Sequence, residues 1–253
     1  MDLGLEGRKA IVTGGSRGIG WHTAEALADE GCDVGICARG EEGVSDAVAR
    51  LEEKGVTAFG RALDVADGAA LRRWVRDAAE ALGGLDVVVP NVSSLGSGEG
   101  EEAWQRSLEV DLLHTVRAVE AALPFLEDSD AAAIVIVSSV AAREAGAFEG
   151  SYGPIKAALV RYAKGRAVEL ASEGVRVNAI SPGTIYVEDG FWGGVERENP
   201  EFFEKAVGWN PMGRMGTPEE VARAIAFLAS PAASFVSGTN LLVDGALTRG
   251  VQP

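Results

Sequence analysis

Tyr152 and Lys156 stand four residues apart in the segment Ser151-Tyr152-Gly153-Pro154-Ile155-Lys156. If that segment opens a helix, the two side chains lie one turn apart on the same face. An ammonium beside a phenol favours the phenolate. An opposite charge at close range moves a pKa by about 1–3 units, enough to bring a tyrosine from ~10 towards working pH. Tyr152 is then a candidate general acid/base, and Lys156 the group that tunes it. Ser139, just beyond the apolar run Ile134-Val135-Ile136-Val137, offers a hydroxyl to orient a substrate oxygen. The pair alone is not specific, because tyrosine and lysine occur at this spacing on many ordinary helices.

A second constellation follows the first apolar run, in Thr13-Gly14-Gly15-Ser16-Arg17-Gly18-Ile19-Gly20. Glycines at such a strand-to-helix turn let the backbone approach a pyrophosphate, whose charge suits the helix N-terminus. Their spacing departs from G-x-G-x-x-G, and a tight turn that binds nothing is the competing reading. At the end of the second strand-like run, where a carboxylate would bind the ribose hydroxyls of NAD, this sequence has Ala38-Arg39. Arg39 and Arg17 are preformed forks for phosphate and suit the 2′-phosphate of NADP. The alternative for Arg39 is a solvated charge at a strand end. Asp64, closing the third run, is placed to accept a hydrogen bond from an adenine amino group.

These residues need elements to hold them. Residues 10–12, 33–38, 56–63, 86–89, 132–137, 175–180 and 241–243 read as strands. Helical patterns run through Ala24, Leu27 and Ala28, then over about 42–54, 68–82, 101–126 and 152–171, with a last helix from Thr217. Strict alternation predicts an α/β fold with a parallel sheet covered by helices. A loop over residues 96–100 precedes the long helical pattern. With Ser151 as N-cap, Pro154 falls in the first helical turn, where its missing N–H costs little. Residues 181–216 read as irregular, a length that compact domains rarely keep without purpose. Thr217, Pro218 and Glu220 carry the N-cap, N1 and N3 residues of a capping box. We expect a single domain over residues 1–253, with a substrate-binding loop at about 184–216.

The 253 residues can bury a core without disulfide or metal staples. Cys32 and Cys37 read as reduced core thiols on opposite faces of a strand, consistent with a cytoplasmic protein. A net charge of −15 argues against nucleic acid as a partner. No apolar run is long enough to span a bilayer, and neither histidine has metal-ligand spacing. His22 and His114 read as helix-surface or packing residues.

Taken together, these motifs resemble the short-chain dehydrogenase/reductase family, over almost the whole chain. The glycine pattern T-G-x-x-x-G-x-G matches Thr13 to Gly20, and an Asp after the third strand matches Asp64. The Ser, Tyr and Lys of its active site match Ser139, Tyr152 and Lys156. Pro182-Gly183 and Val243-Asp244-Gly245 match two further motifs. The resemblance implies a Rossmann-like doubly wound fold with seven parallel strands. It also implies hydride transfer between a nicotinamide and a carbonyl or alcohol substrate, including 3-oxoacyl-type ketoreduction. Tyr152 would protonate the developing alkoxide, Ser139 would hydrogen-bond the same oxygen, and Lys156 would hold the nicotinamide ribose. Gly14, Ser16, Gly18, Ile19 and Gly20 would cradle the cofactor, with Val65, Asn91 and Val92 against it. Pro182, Gly183, Thr184 and Ile185 would contact the nicotinamide. The family is commonly tetrameric, which implies a homo-oligomer.

Three departures stand out. The family's Asn-Asn-Ala-Gly reads Pro90-Asn91-Val92-Ser93 here. Its helix asparagine, part of a proton relay to Lys156, aligns with Asp111, which would either hold a relay water or pair with Lys156. Pro154 sits inside the Tyr–Lys turn. Tyr186, Phe191, Trp192, Phe202, Phe203 and Trp209 crowd the 181–216 segment, either as a mobile lid over an apolar or bulky carbonyl compound or as packing of the loop or of an oligomer interface. The leading expectation is an NADP-preferring ketoreductase or alcohol dehydrogenase with Ser139, Tyr152, Lys156 and Asp111 in its catalytic machinery. The alternatives are a cofactor-binding protein with little catalysis, such as a redox sensor or structural partner, and an NAD-dependent alcohol dehydrogenase.

Overall fold

The computed structural model describes residues 2–96, 100–145 and 150–250. Seven strands form one sheet: β1 (Lys9–Thr13), β2 (Asp33–Ala38), β3 (Ala58–Ala62), β4 (Val87–Val89), β5 (Ala133–Val137), β6 (Arg176–Pro182) and β7 (Asn240–Val243). Their order is β3-β2-β1-β4-β5-β6-β7, and every pairing is parallel. The central strands are apolar on both faces, as burial on both sides requires; all five residues of β5 are buried. On one face Ile11, Ile134 and Ile136 pack under α3 (Gly68–Leu82), α5 (His114–Leu126) and α6 (Tyr152–Leu170). On the other, Val12, Val135 and Val137 pack under α1 (Gly18–Asp29), α2 (Glu41–Glu52) and α9 (Pro218–Ala229). Cys37 and Cys32 lie in opposite layers, as free buried thiols. Burial pushes both up to about 12, so neither is a nucleophile at neutral pH.

Parallel strands bring all their C-terminal ends to one edge. The strand order reverses between β1 and β4, the crevice where open α/β sheets take ligands.

Three expectations need correction. The pattern over 101–126 is not one α-helix: α4 (Gly100–Ser107) and α5 are joined by a π-helical turn, Leu108–Leu113. Such turns rarely arise without a local function, and this one carries Asp111 into the interior, 1% exposed. The 181–216 segment is not irregular throughout, because it holds α7 (Phe191–Glu198) and α8 (Pro200–Val207). The Asn199 side chain caps α8 by accepting the Phe202 N–H at 3.1 Å, and Pro200 occupies N1. Ser151 is no N-cap: its backbone is already helical (φ −79°, ψ −23°), and its hydroxyl bonds to Ser107 Oγ at 2.7 Å. Pro154 does fall in the first turn of α6, and Glu220 Oε2 accepts the Thr217 N–H at 2.9 Å. Of the 96–100 loop, residues 97–99 lie outside the described residues.

One buried cation and one buried neutral ring tie the layers together. Arg176 opens β6 and donates to the carbonyls of Leu228, Ala229 and Ser230 at 2.7, 3.1 and 3.0 Å. It thereby neutralises the C-terminal end of α9. His114 is a packing residue rather than a surface one, with no exposure. Thr13 Oγ1 accepts the Asn91 N–H at 2.9 Å and lies 3.0 Å from His114 Nε2, which ties the ring to the end of β1.

Burial lowers the His114 pKa from 6.5 to about 4. The ring is neutral in the fold but charges in the unfolded chain below 6.5. Its contribution is therefore fully present above pH 6.5 and is lost as pH falls towards 4. Between pH 7.5 and pH 5, urea unfolding of the parent should lose about 2 kcal/mol that His114→Gln does not lose. Equal losses in both proteins would refute the assignment.

Candidate active site

A cleft of about 1670 Å³ opens along the C-terminal ends of the strands. It gathers Gly14, Ser16, Arg17, Gly18, Ile19 and Gly20 from the turn after β1, Arg39 from the end of β2, and Asp64 and Val65 from the end of β3. Asn91 and Val92 enter after β4, Ser139 after β5, and Tyr152 and Lys156 from α6. Pro182, Gly183, Thr184 and Ile185 close it from β6 and beyond. Of the expected catalytic and cofactor-binding residues, Asp111 alone is not in the wall; it lies behind Lys156.

The glycine turn is built for close backbone approach. Gly14 has φ +69°, and a Cβ on Gly20 would stand 2.1 Å from Gly14 O, so a side chain at Gly20 is sterically excluded. The turn is pinned from both sides: Gly14 N–H donates to Cys37 O at 2.8 Å, and Asn91 Nδ2 to Thr13 O at 3.0 Å. The N-terminus of α1 has no side-chain cap, leaving its first N–H groups to the cleft, where the helix dipole favours an anion. Arg17 and Arg39 are exposed on the rim. At the other end, Thr184 Oγ1 is buried without a hydrogen-bond partner. An orphaned hydroxyl in the wall of a cleft is what a ligand amide or phosphate would satisfy. The residues present therefore fit a dinucleotide.

Ser138 Oγ donates to the Lys156 carbonyl at 2.8 Å, which locks the end of β5 to α6. Next to it, Ser139 Oγ accepts the Ala141 N–H at 3.2 Å and keeps its own hydrogen for the cleft. The Lys156 ammonium lies 5.7 Å from the centre of the Tyr152 ring, one turn away as the spacing predicts. Lys156 Nζ also sits 3.2 Å from Asp111 Oδ1 and 3.3 Å from Val137 O, which accounts for two of its three N–H groups. Asp111 thus pairs with the lysine directly. Burial alone would raise its carboxyl pKa, but the Lys156 ammonium and donors from Ser93 and Ser94 outweigh it and hold the group below the ordinary range. Gly96, at φ +59°, packs against Tyr152, where a Cβ would come 2.6 Å from the tyrosine Cβ.

The aromatics divide between packing and the cleft wall. Tyr186, Phe202 and Phe203 join Trp192, Ala206 and Met215 in a separate small core under α7 and α8. Phe191, Trp192 and Trp209 face the cleft, together with Arg106, Glu144 and Lys205. Sequence reasoning missed Ser94, Ser107 and Ser151, whose hydroxyls run from Asp111 towards the start of α6. Their types gave no signal, because serines in a loop and at a helix start read as turn and cap residues. Only the π turn brings them together. Among the described residues no cluster of three or more His, Cys, Asp or Glu could hold a metal, and no helix is long and apolar enough to cross a membrane.

The enoyl-(acyl carrier protein) reductase family model matches residues 14–248. An isoepoxydon dehydrogenase from Penicillium expansum is 40% identical, over 100% of this chain and 99% of its own. The 3-oxoacyl-[acyl-carrier-protein] reductase of Vibrio cholerae is 33% identical over 97% and 99%. The crystal structure of L-sorbose reductase from Gluconobacter frateurii, complexed with NADPH and L-sorbose, superposes with a TM-score of 0.91 at 30% identity, covering 99% and 100% of the two chains. The chain belongs to the short-chain dehydrogenase/reductase family and is an NAD(P)-dependent oxidoreductase of alcohol and carbonyl groups.

Proposed function

We propose that this protein is an NADP-preferring reductase of small carbonyl compounds, with Ser139, Tyr152 and Lys156 as its reacting centre. The observation that carries the reading is that these three line the same cleft as the glycine turn and the orphaned Thr184 hydroxyl. Gly14 to Gly20 and the N-terminus of α1 would hold the pyrophosphate, with Asp64 and Val65 at the adenine and Asn91 and Val92 along the ribose side. Pro182 to Ile185 would hold the carboxamide, with Thr184 donating or accepting at its Oγ1. The third N–H of Lys156 is available for a ribose hydroxyl. When bound, the reduced cofactor supplies the hydride to the carbonyl carbon. Tyr152 then gives its phenolic proton to the substrate oxygen, while Ser139 donates a hydrogen bond to that oxygen and fixes its position. Asp111 acts through Lys156 and touches no reacting atom.

Arg39 and Arg17 support the NADP preference, since no carboxylate stands at the end of β2 to take the ribose hydroxyls. Walls that set Phe191 and Trp209 beside Arg106, Glu144 and Lys205 suit a compact oxygenated carbonyl compound better than a wholly apolar chain. Relatives named for isoepoxydon and L-sorbose support the same reading. Homotetramer assembly in the cytoplasm completes the proposal, and light scattering should give about four times the 26.3 kDa chain mass.

The test is initial-rate oxidation of NADPH and NADH with a panel of sugar, cyclic, aromatic and 3-oxoacyl carbonyl compounds. Turnover is expected with NADPH, and Tyr152→Phe should lower kcat by at least 10²-fold while NADPH binding persists. Retained turnover in Tyr152→Phe would sink the mechanism. Arg39→Asp should lower kcat/KM for NADPH by about 10-fold or more and leave NADH little changed, the loss of one charge-assisted phosphate contact. An equal effect on both cofactors would remove Arg39 from the 2′-phosphate site.

A further inference from the structure

Two substitutions that look unrelated in the sequence touch each other in the fold. Asp111 Oδ1 accepts from Ser93 Oγ at 2.5 Å, and Oδ2 accepts from the Ser94 backbone N–H at 2.9 Å and from Ser94 Oγ at 2.7 Å. Ser107 Oγ lies 3.2 Å from Ser94 Oγ, and Ser151 Oγ lies 2.7 Å from Ser107 Oγ. The carboxylate can only accept, which sets the direction of the series. Ser94 donates to Asp111, Ser107 to Ser94, and Ser151 to Ser107 rather than to the Ala103 carbonyl at 3.5 Å. Hydrogen bonds aligned towards one charge polarise each other.

We propose that Ser93, Ser94, Ser107 and Ser151 are positioning residues that hold Asp111 as a fixed carboxylate against Lys156, and that this compensated pair sets the pH at which Tyr152 transfers its proton. The proposal rests on the reductase reading above. The series is not a proton path to water, since Ser107 and Ser151 are 1% and 2% exposed and beyond Ser151 stands a carbonyl. Its effect is electrostatic. The ammonium of Lys156 favours the Tyr152 phenolate, and a carboxylate 3.2 Å from that ammonium offsets much of the pull. No other described charge does the same. His114 near Asp111 stays neutral in the fold until pH falls towards about 4, and Glu109 on the π turn is paired with Arg117 at 2.7 Å. From the other walls, Arg106, Glu144, Glu188, Asp189, Lys205 and Arg249 reach the cleft as exposed, solvent-screened groups.

The experiment compares pH profiles of kcat/KM for carbonyl reduction in the parent and in Asp111→Asn. Reduction needs the phenol to carry its proton, so the alkaline limb of the profile reports on Tyr152. Without the carboxylate the phenolate is favoured more strongly, and the alkaline limb should begin about one pH unit lower. A limb that stays in place or moves upward overturns the proposal. If Asp111→Asn does not fold, Asp111→Ser removes the same charge and is read in the same way. Thermal melts of Ser94→Ala, Asp111→Asn and the double variant form a second arm. Ser94→Ala alone should lower Tm by several degrees, and by less than half as much once Asp111 is Asn. Additive losses would show that the serine and the carboxylate act separately. The melts need no turnover, so they stand even if Tyr152→Phe disproves the reductase reading.

Discussion

An ammonium and a carboxylate buried side by side leave the surrounding chain little freedom. Taking each ion out of water costs several kcal/mol, and their attraction offsets that only when the remaining valences are hydrogen-bonded. Lys156 and Asp111 meet this condition with donors and acceptors from four places: Val137 at the end of β5, Ser93 and Ser94 after β4, the π turn, and α6 itself. Strand ends, loop and helices are thus registered against one another at the point where the chemistry needs tolerances of tenths of an ångström. Removing either ion would leave the other uncompensated in the core, so the pair constrains the fold as well as the site.

The parallel sheet was legible because it depends on short-range patterns: apolar runs alternating with helical periods, broken by glycine at each turn. So were Tyr152, Lys156 and Ser139, whose spacing survives any small error in helix boundaries. The glycine turn after β1 was legible for the same reason, since steric exclusion at Gly20 is written into a single residue type. The π turn was not. A π turn has no residue type that marks it, yet it is the element that holds Asp111 in the interior beside the lysine. Helices α7 and α8 escaped because glycines at 193 and 194 and the Asn199-Pro200 step read as breakers, whereas the asparagine is a cap and the proline a helix start. The sequence also left His114 open between surface and packing, because an isolated histidine carries no periodicity of its own.

Asp111 and the 90–93 segment appeared as separate departures from the family pattern, and each alone would look damaging. A carboxylate without Ser93 and Ser94 would keep only Lys156 as a donor, and the two hydroxyls without a carboxylate would lack an acceptor of comparable strength. Together they are mutually satisfied. Agreement between two unusual choices is what a functioning site shows, and it weighs against the reading of a cofactor binder that has lost its chemistry.

The small aromatic core beneath α7 and α8 has its own consequence. Trp192, Phe202, Phe203, Ala206 and Met215 bury their surface against one another, apart from both layers flanking the sheet. The segment therefore behaves as a cassette whose contents can be rewritten without repacking the molecule. Lys205 and the exposed Phe191 reach the cleft at the margin of that core, whereas Trp209 packs on Trp192 and Phe202 within it. Changes at the first two positions therefore disturb the packing least.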